Sequence, residues 1–237
     1  MLEKQREQEF LGLLLSEIEE QAIKRGSFQT VFLEQMLKYV DLETDPDVLH
    51  PPYENTIKKI LVNAYSYLSE EQRLQLFVVD YNGAQDEQEM LSINKSELLS
   101  IANKVKRFFT NAELLITNIH PSHQPYDLAK LIVDMPIHAV DIFIMTNRFY
   151  RSNKQVDISI PGVSEVQVHI WDAERAYQIH SAETGVQVSY IDFNTQFGET
   201  FEMMFVPDAV HGEVKDSFDC YIGFIPANLL AKVYDFW

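Results

Sequence analysis

Two apolar segments joined by a short polar turn constrain the fold of this chain most strongly. Lys59–Ser66 and Leu74–Asn82 are rich in apolar side chains, and the polar run 69–73 separates them. Short apolar runs that flank a compact polar turn are typical of a β-hairpin with strands buried on both faces. A sheet buried on both faces needs helices on either side, so the sequence predicts an α/β fold with a mixed sheet.

The same hairpin is the element on which a magnesium-dependent nuclease of the restriction-endonuclease-like class builds its active site. Such a site needs an Asp on the first strand, and an acid or amide followed two residues later by Lys on the second. Mg²⁺ requires oxygen ligands, and the Lys stabilises developing charge on phosphate. In this chain the three positions hold Asn63, Val78 and Asp80. The pattern therefore predicts a nuclease-like core with a degenerate site.

Other carboxylates offer alternatives for a catalytic or metal-binding role. Asp80 at the strand end is expected to accept hydrogen bonds from turn amides, and it is also a candidate catalytic residue and a weak candidate metal ligand. Glu34 on the preceding helix is a further candidate, although it lies opposite the apolar stripe of that helix. An acidic loop supplies a last set of oxygen ligands: Asp41, Glu43, Asp45 and Asp47.

The charge balance limits which partners the chain attracts. It has 19 Lys and Arg against 36 Asp and Glu, a formal net charge of −17, which repels nucleic acid. Two basic clusters nevertheless remain candidates for a nucleic-acid patch. One is expected on a helix and the other in a loop: Lys104, Lys106 and Arg107; Arg148, Arg151 and Lys154.

The cysteine count and the apolar segments indicate the compartment. Cys220 is the only cysteine, which excludes an internal disulfide and fits a reducing cytoplasm. Apolar runs are too short to span a bilayer, and the charged N-terminus does not resemble a signal peptide. We therefore expect a cytoplasmic protein that does not contact membranes.

Local patterns predict the remaining organisation. We expect one α/β domain with a helical part at 1–54, a nuclease-like core at 55–150 and a second α/β lobe at 151–237. Two helices fill the first forty residues, and 41–54 is expected to be a surface loop. The other predicted helices are 94–115, 126–133, 172–178 and one from Pro226; the other predicted strands are 140–145, 155–160, 166–171, 186–193, 201–206 and 221–225.

Several segments together resemble the N-terminal region of the abortive-infection phage-resistance (AIPR) family. They occur in the family's order across most of residues 55–237. The matching pieces are Val62–Tyr65 with Leu76–Tyr81, Tyr126–Ala129, Ile142–Asn147, His169–Asp172 with Arg175, Ile191–Phe193 and Tyr221–Asp235.

The resemblance implies the fold and leaves the activity open. Many relatives carry an Asp in the first strand and Gln-x-Lys in the second, and this chain departs from that pattern at Asn63, Val78 and Asp80. The family usually continues beyond the final helix, so we expect this chain to be the N-terminal part of a longer protein.

Two hypotheses of function follow from this resemblance and from the residues. The first is a non-catalytic recognition or scaffolding domain of a bacterial phage-defence protein, which binds a protein partner or its own C-terminal region and needs no cofactor. The second is a divergent Mg²⁺- or Mn²⁺-dependent nuclease that acts on DNA or RNA.

Overall fold

A computed structural model describes residues 2–82, 91–152, 154–183, 203–209, 218–227 and 229. The chain divides into two compact units, residues 1–187 and 188–237. Within the described residues, the first unit holds six helices and five strands. The helices are Leu2–Arg25 (α1), Phe28–Leu37 (α2), Lys95–Thr110 (α3), Ala112–Asn118 (α4), Gln124–Asp134 (α5) and Ala173–Glu183 (α6). The strands are Asp47–Asn55 (β1), Ile60–Leu68 (β2), Arg73–Asp80 (β3), Ala139–Thr146 (β4) and Glu165–Trp171 (β5).

The five strands form one mixed sheet in the order β1-β2-β3-β4-β5. The pairs β1/β2 and β2/β3 are antiparallel, whereas β3/β4 and β4/β5 are parallel. Every residue of β4 is buried, as its continuous apolar run predicts for a strand that is covered on both faces. The predicted α/β class with a mixed sheet and flanking helices is confirmed.

Helices cover both faces of this sheet and create two cores. One core, here called the α3-side core, joins Val62, Val78 and Ile142 to Leu98 and Phe108. The opposite core, the α2-side core, packs α1, α2 and α6 against alternate residues of the same strands. On that side an aromatic row crosses three strands: Phe77 stacks on Phe143, and Phe143 stacks on His169, with 4.7 Å between ring centroids in each pair.

Two helix boundaries show why local sequence fixes helix ends. The Asn94 side chain caps α3, and the Glu97 carboxylate accepts the reciprocal hydrogen bond from the backbone N–H of Asn94, which completes the predicted capping box. The single helix predicted to run from 94 to about 115 is wrong, because α3 ends at Thr110 and α4 begins at Ala112. The Asn111 side chain donates to the carbonyl oxygen of Arg107 at 2.7 Å, which gives the end of α3 a local partner.

Two other predictions need correction. The predicted loop 41–54 contains most of strand β1, which tolerates Pro51 and Pro52 because it is an edge strand with a register shift between Val48 and Tyr53. Residues 155–160 are not a strand, although their alternation predicts one. Val156 and Ile160 are buried in the α3-side core, so the alternation reports packing against that core and not pairing with β5.

The second unit contains an antiparallel pair of strands, Met203–Ala209 (β6) and Phe218–Gly223 (β7). These overlap the predicted strands 201–206 and 221–225. The predicted strand 186–193 and most of the helix predicted from Pro226 lie outside the described residues.

Candidate functional site

Asn63, the first of the three nuclease positions, completes the backbone ladder between β2 and β3. Regular pairing of these strands ends at Ala64 and Phe77. Beyond that point the Asn63 side-chain oxygen accepts a hydrogen bond from the backbone N–H of Val79 at 2.9 Å. Its amide nitrogen donates to the side-chain oxygen of Gln29 on α2 at 3.4 Å. Asn63 is 1% exposed, so its amide is a buried, internally bonded group.

Val78 and Asp80 lie on the opposite face, as their spacing of two predicts. Val78 is fully buried in the α3-side core. Asp80 ends β3 and accepts hydrogen bonds from the Thr146 hydroxyl at 3.0 Å and the Arg148 Nε at 2.9 Å. Among the described residues, these donors come from the end of the neighbouring parallel strand β4 and the residues directly after it, whereas the turn that was expected to supply amides lies largely outside the described residues.

Arg148 joins Asp80 to the N-terminus of α3. Its side chain is 11% exposed, with Nη2 2.8 Å from Asp80 Oδ2 and Nη1 2.7 Å from Glu97 Oε1. Burial alone favours the neutral guanidine, but hydrogen bonds and charges from Glu97 and Asp80 outweigh it and raise the pKa of Arg148. The Arg148 hydrogen bond in turn lowers the pKa of Glu97. The Arg148 guanidinium therefore neutralises Asp80, the carboxylate that is the candidate metal ligand at this strand end.

The three nuclease positions do not converge on one point. Asn63 reaches toward α2, whereas Asp80 reaches toward α3 through Arg148. Glu34 forms a two-contact ion pair with Arg25, with Nη2 2.8 Å from Oε1. Among the described residues, no group of three or more His, Cys, Asp or Glu is arranged to hold a metal ion.

The acidic loop lies apart from the hairpin end that carries Asp80. Its four carboxylates are exposed: Asp41, Glu43, Asp45 and Asp47. Glu43 lines a small cavity of about 220 Å³ together with Glu70 and Glu71 of the hairpin turn. These four acids therefore face solvent.

The two basic clusters differ in how much positive charge they present. Lys104, Lys106 and Arg107 lie half-buried on α3, and Arg107 donates to the backbone oxygen of Lys59 at 3.3 Å. In the loop after β4, Arg148 is neutralised by two carboxylates, which reduces the charge of that cluster. Arg151 lies over the Phe149 ring, and Lys154 is exposed.

Asp172 fixes the region that follows β5, a role that the sequence only partly indicates. One carboxylate oxygen accepts from the N–H of Arg175 at 2.9 Å, which caps α6 as predicted. The other accepts from the N–H of Tyr150 at 2.8 Å, a contact 22 residues distant in sequence. Burial raises the pKa of Asp172, and the Arg175 guanidinium lies 4.0 Å from the centroid of the Trp171 ring.

A second polar cluster lies on the α2-side face at the start of the parallel strands. Asp141 Oδ1 is 2.9 Å from Arg73 Nη1 and 3.6 Å from His169 Nε2, and Arg73 also contacts Glu71 and Glu165. Burial opposes ionisation of Asp141, but His169 and Arg73 outweigh it and lower its pKa. Sequence reasoning missed this cluster, although a carboxylate inside the apolar run of β4 was a signal.

Comparison with known families decides the identity. Residues 28–178 match the abortive infection phage resistance protein N-terminal domain, which covers more than half of the chain. The chain belongs to the AIPR family. This match confirms the resemblance and connects the protein to abortive-infection phage resistance. The matched range includes the whole five-stranded sheet of the AIPR domain and ends within α6.

Other comparisons add no further relative. No curated protein matches the chain, and no solved structure matches it. The restriction-endonuclease-like likeness of the core therefore stays a prediction. In the described part of the chain, no helix is both long and apolar enough to cross a membrane.

We expect Asn63→Ala to destabilise the AIPR domain by about 1–3 kcal/mol, because it leaves the buried N–H of Val79 without an acceptor. Urea denaturation measures this change as a lower midpoint at unchanged slope. Asn118→Ala, at an exposed helix end, is the matched control and should change stability by less than about 0.5 kcal/mol. Equal losses in the two variants would contradict the ladder role of Asn63.

Proposed function

We propose that this AIPR domain is a non-catalytic recognition or scaffolding domain of a cytoplasmic phage-defence protein. It binds a protein partner or its own C-terminal region, and it uses no cofactor. The observation that carries the proposal is the Asp80–Arg148–Glu97 ion-pair network. Asp80 stands where a nuclease of this class requires a lysine, and the Arg148 guanidinium is committed to neutralising Asp80 and Glu97.

Two further features support a non-catalytic role. Val78 has no atom that can bind a metal ion, and it is fully buried in the α3-side core. Both the oxygen and the nitrogen of the Asn63 side-chain amide form hydrogen bonds inside the protein. The overall charge of −17 opposes binding to a polyanion. Together these features separate the nuclease-like hairpin from the chemistry of phosphodiester cleavage.

The alternative is a divergent Mg²⁺- or Mn²⁺-dependent nuclease that draws its acids from other positions. Asp80 with Glu34 is one possible set, and the exposed acidic loop is the other. The exposure of the loop carboxylates is the observation that favours this alternative, because they are open to ions from solvent.

Calorimetry with Mn²⁺ and Mg²⁺ tests the proposal, with cleavage of plasmid DNA and of single-stranded RNA followed in the same samples. We expect no saturable metal binding and no metal-dependent cleavage, because each candidate carboxylate at the hairpin is already paired. Asp45→Asn and Asp80→Asn separate the loop from the hairpin. Cleavage that disappears in either variant would overturn the non-catalytic proposal and identify which acids bind the metal.

A further inference from the structure

The outer edge of β5 faces a cleft in the first unit. Within residues 2–82, 91–152 and 154–183, β5 pairs only with β4, so the other edge of its backbone has no strand beside it. Residues 154–160, here called the strap, lie on the far side of this cleft. The cleft has a volume of about 500 Å³, and four residues of the strap and four of β5 line it: 155–158 and 166–169.

Contacts at both ends hold the strap in place along β5. At one end the N–H of Tyr150 donates to Asp172, directly after β5. At the other end Ile160 is buried, and the N–H of Val163 donates to its carbonyl oxygen at 3.2 Å, in the turn that leads into β5. Gly162 has a φ of +83°, which allows the chain to turn there. The cleft is therefore bounded by chain that is anchored at both ends.

The two walls of the cleft alternate in phase with each other. Val156 and Ile158 of the strap pack on the α3-side core, as do Val166 and Val168 of β5. The residues between them have the opposite orientation, and on β5 these are Gln167 and His169, in register with the α2-side residues Asp141 and Phe143. The β5 wall is therefore apolar on the α3 side and polar on the α2 side, and the strap adds Val156 and Ile158 to the same apolar side.

The volume of the cleft is close to that of a short extended peptide. Four extended residues are about 13 Å long, take about 4.8 Å of sheet width and are about 10 Å thick with their side chains, which gives about 600 Å³. The observed volume of about 500 Å³ is close to this requirement. An extended peptide in this cleft gains backbone hydrogen bonds from the open edge of β5, the mode of recognition called β-strand addition.

Charge selects among extended peptides. Among the described residues that line the cleft, Asp157 is the one acid and no Lys or Arg is present, and the Asp157 side chain is 80% exposed. Glu165, 43% exposed, and the exposed Lys154 lie directly before the two lining segments. Lys95 lies 3.6 Å from Asp157, and Arg73 contacts three carboxylates. The neighbouring His169 faces Asp141. The described lining of the cleft therefore carries a net negative charge, as does the whole chain, and favours basic side chains on its occupant.

We propose that the β5 cleft binds an extended peptide of a protein partner, with alternating apolar and basic side chains, as an added strand. The apolar side chains pack beside Val166 and Val168, and the basic ones face Asp157 and Glu165. This inference deepens the proposed recognition function, since it names the class of partner and the surface that binds it.

The probe is a fluorescent peptide of sequence Lys-Val-Lys-Val-Lys-Val, titrated with the full chain and followed by fluorescence anisotropy. We expect saturable binding that is at least about tenfold weaker for the block peptide Lys-Lys-Lys-Val-Val-Val and for Glu-Val-Glu-Val-Glu-Val. Two further peptides are methylated at alternate backbone nitrogens, one at the odd and one at the even positions, which keeps the side chains and removes hydrogen-bond donors. The peptide that loses the N–H groups facing β5 should no longer bind.

Two protein variants locate the binding. Val168→Lys should abolish binding because it places a charge on the apolar side, while Ser16→Lys at an exposed position of α1, away from the cleft, is its matched control. If Val168→Lys fails to fold, Asp157→Lys should still weaken the basic peptide about tenfold by reversing an exposed charge. Equal binding of the alternating and block peptides would overturn the proposal. Absence of binding would also overturn it, whether or not another part of the chain already fills the cleft.

The outcome is independent of the test of catalysis. Metal-dependent cleavage in the same samples would refute the non-catalytic function even if the peptide binds. Absence of both cleavage and peptide binding would leave the non-catalytic function intact and refute only the β5 cleft.

Discussion

Replacement of Asp172 by alanine should lower the free energy of unfolding by about 2–4 kcal/mol, combining a lost helix cap with a buried N–H left unpaired. The Asp172 carboxylate caps α6 by accepting a hydrogen bond from the N–H of Arg175. It also accepts a hydrogen bond from the N–H of Tyr150, in the segment that follows β4. Urea denaturation gives the stability change. Native-state hydrogen exchange should show faster exchange at Tyr150, since its amide loses its acceptor.

Asp172→Asn is the matched control, because it keeps the size and one good acceptor oxygen without the charge. We expect Asp172→Asn to lower the free energy of unfolding by less than Asp172→Ala does. The difference in this free energy between wild type and Asp172→Asn should depend on pH. Burial raises the folded-state pKa of Asp172, so the folded state binds a proton at a higher pH than the unfolded state does. Wild type should therefore gain stability relative to Asp172→Asn as pH falls through the raised pKa. An unchanged difference between neutral pH and about pH 4 would contradict the assigned burial cost.

Replacement of Arg148 by methionine should lower the free energy of unfolding by about 1–3 kcal/mol. The change leaves Asp80 and Glu97 without their shared cation, while methionine fills much of the volume. Loss of one partner from a fully buried ion pair costs about 3–5 kcal/mol, and we expect less here because Asp80 is 23% and Glu97 43% exposed.

Arg148→Lys and a double-mutant cycle sharpen this test. Lysine keeps the charge but lacks the planar fork that reaches both carboxylates, so its loss should be intermediate. The combination of Arg148→Met with Asp80→Asn should cost less than the sum of the two single changes. Strict additivity would show that Arg148 and Asp80 do not interact, and would remove the main support for the proposed non-catalytic role.

The sequence predicted the site where its evidence was local. Val78 and Asp80 share a face because residues two apart on a strand must do so. The capping box at Asn94 and the cap at Asp172 were readable from residue type and spacing alone. The partners of Asp80 were not readable, because Thr146 and Arg148 approach it from a strand more than sixty residues away.

Strand pairing also had to come from the tertiary structure. The alternation of polar and apolar residues in 155–160 correctly indicated that one side of this segment is buried. The same pattern fits both a paired strand and an extended segment that packs on a core without pairing. Leu49 likewise lies in a proline-bearing stretch that predicts a loop, yet its burial draws that stretch into β1 as an edge strand.

By itself, the sequence determined the α/β class, the central hairpin, the family and the identities of Asn63, Val78 and Asp80, since these depend on residue identity and short-range periodicity. Only the tertiary structure decided that a guanidinium neutralises Asp80, that Asn63 completes a backbone ladder and that the described residues of the strap and β5 line a cleft. The physical reason is that hydrogen bonds and ion pairs between distant strands depend on register and separation in space. No spacing along the chain encodes either quantity.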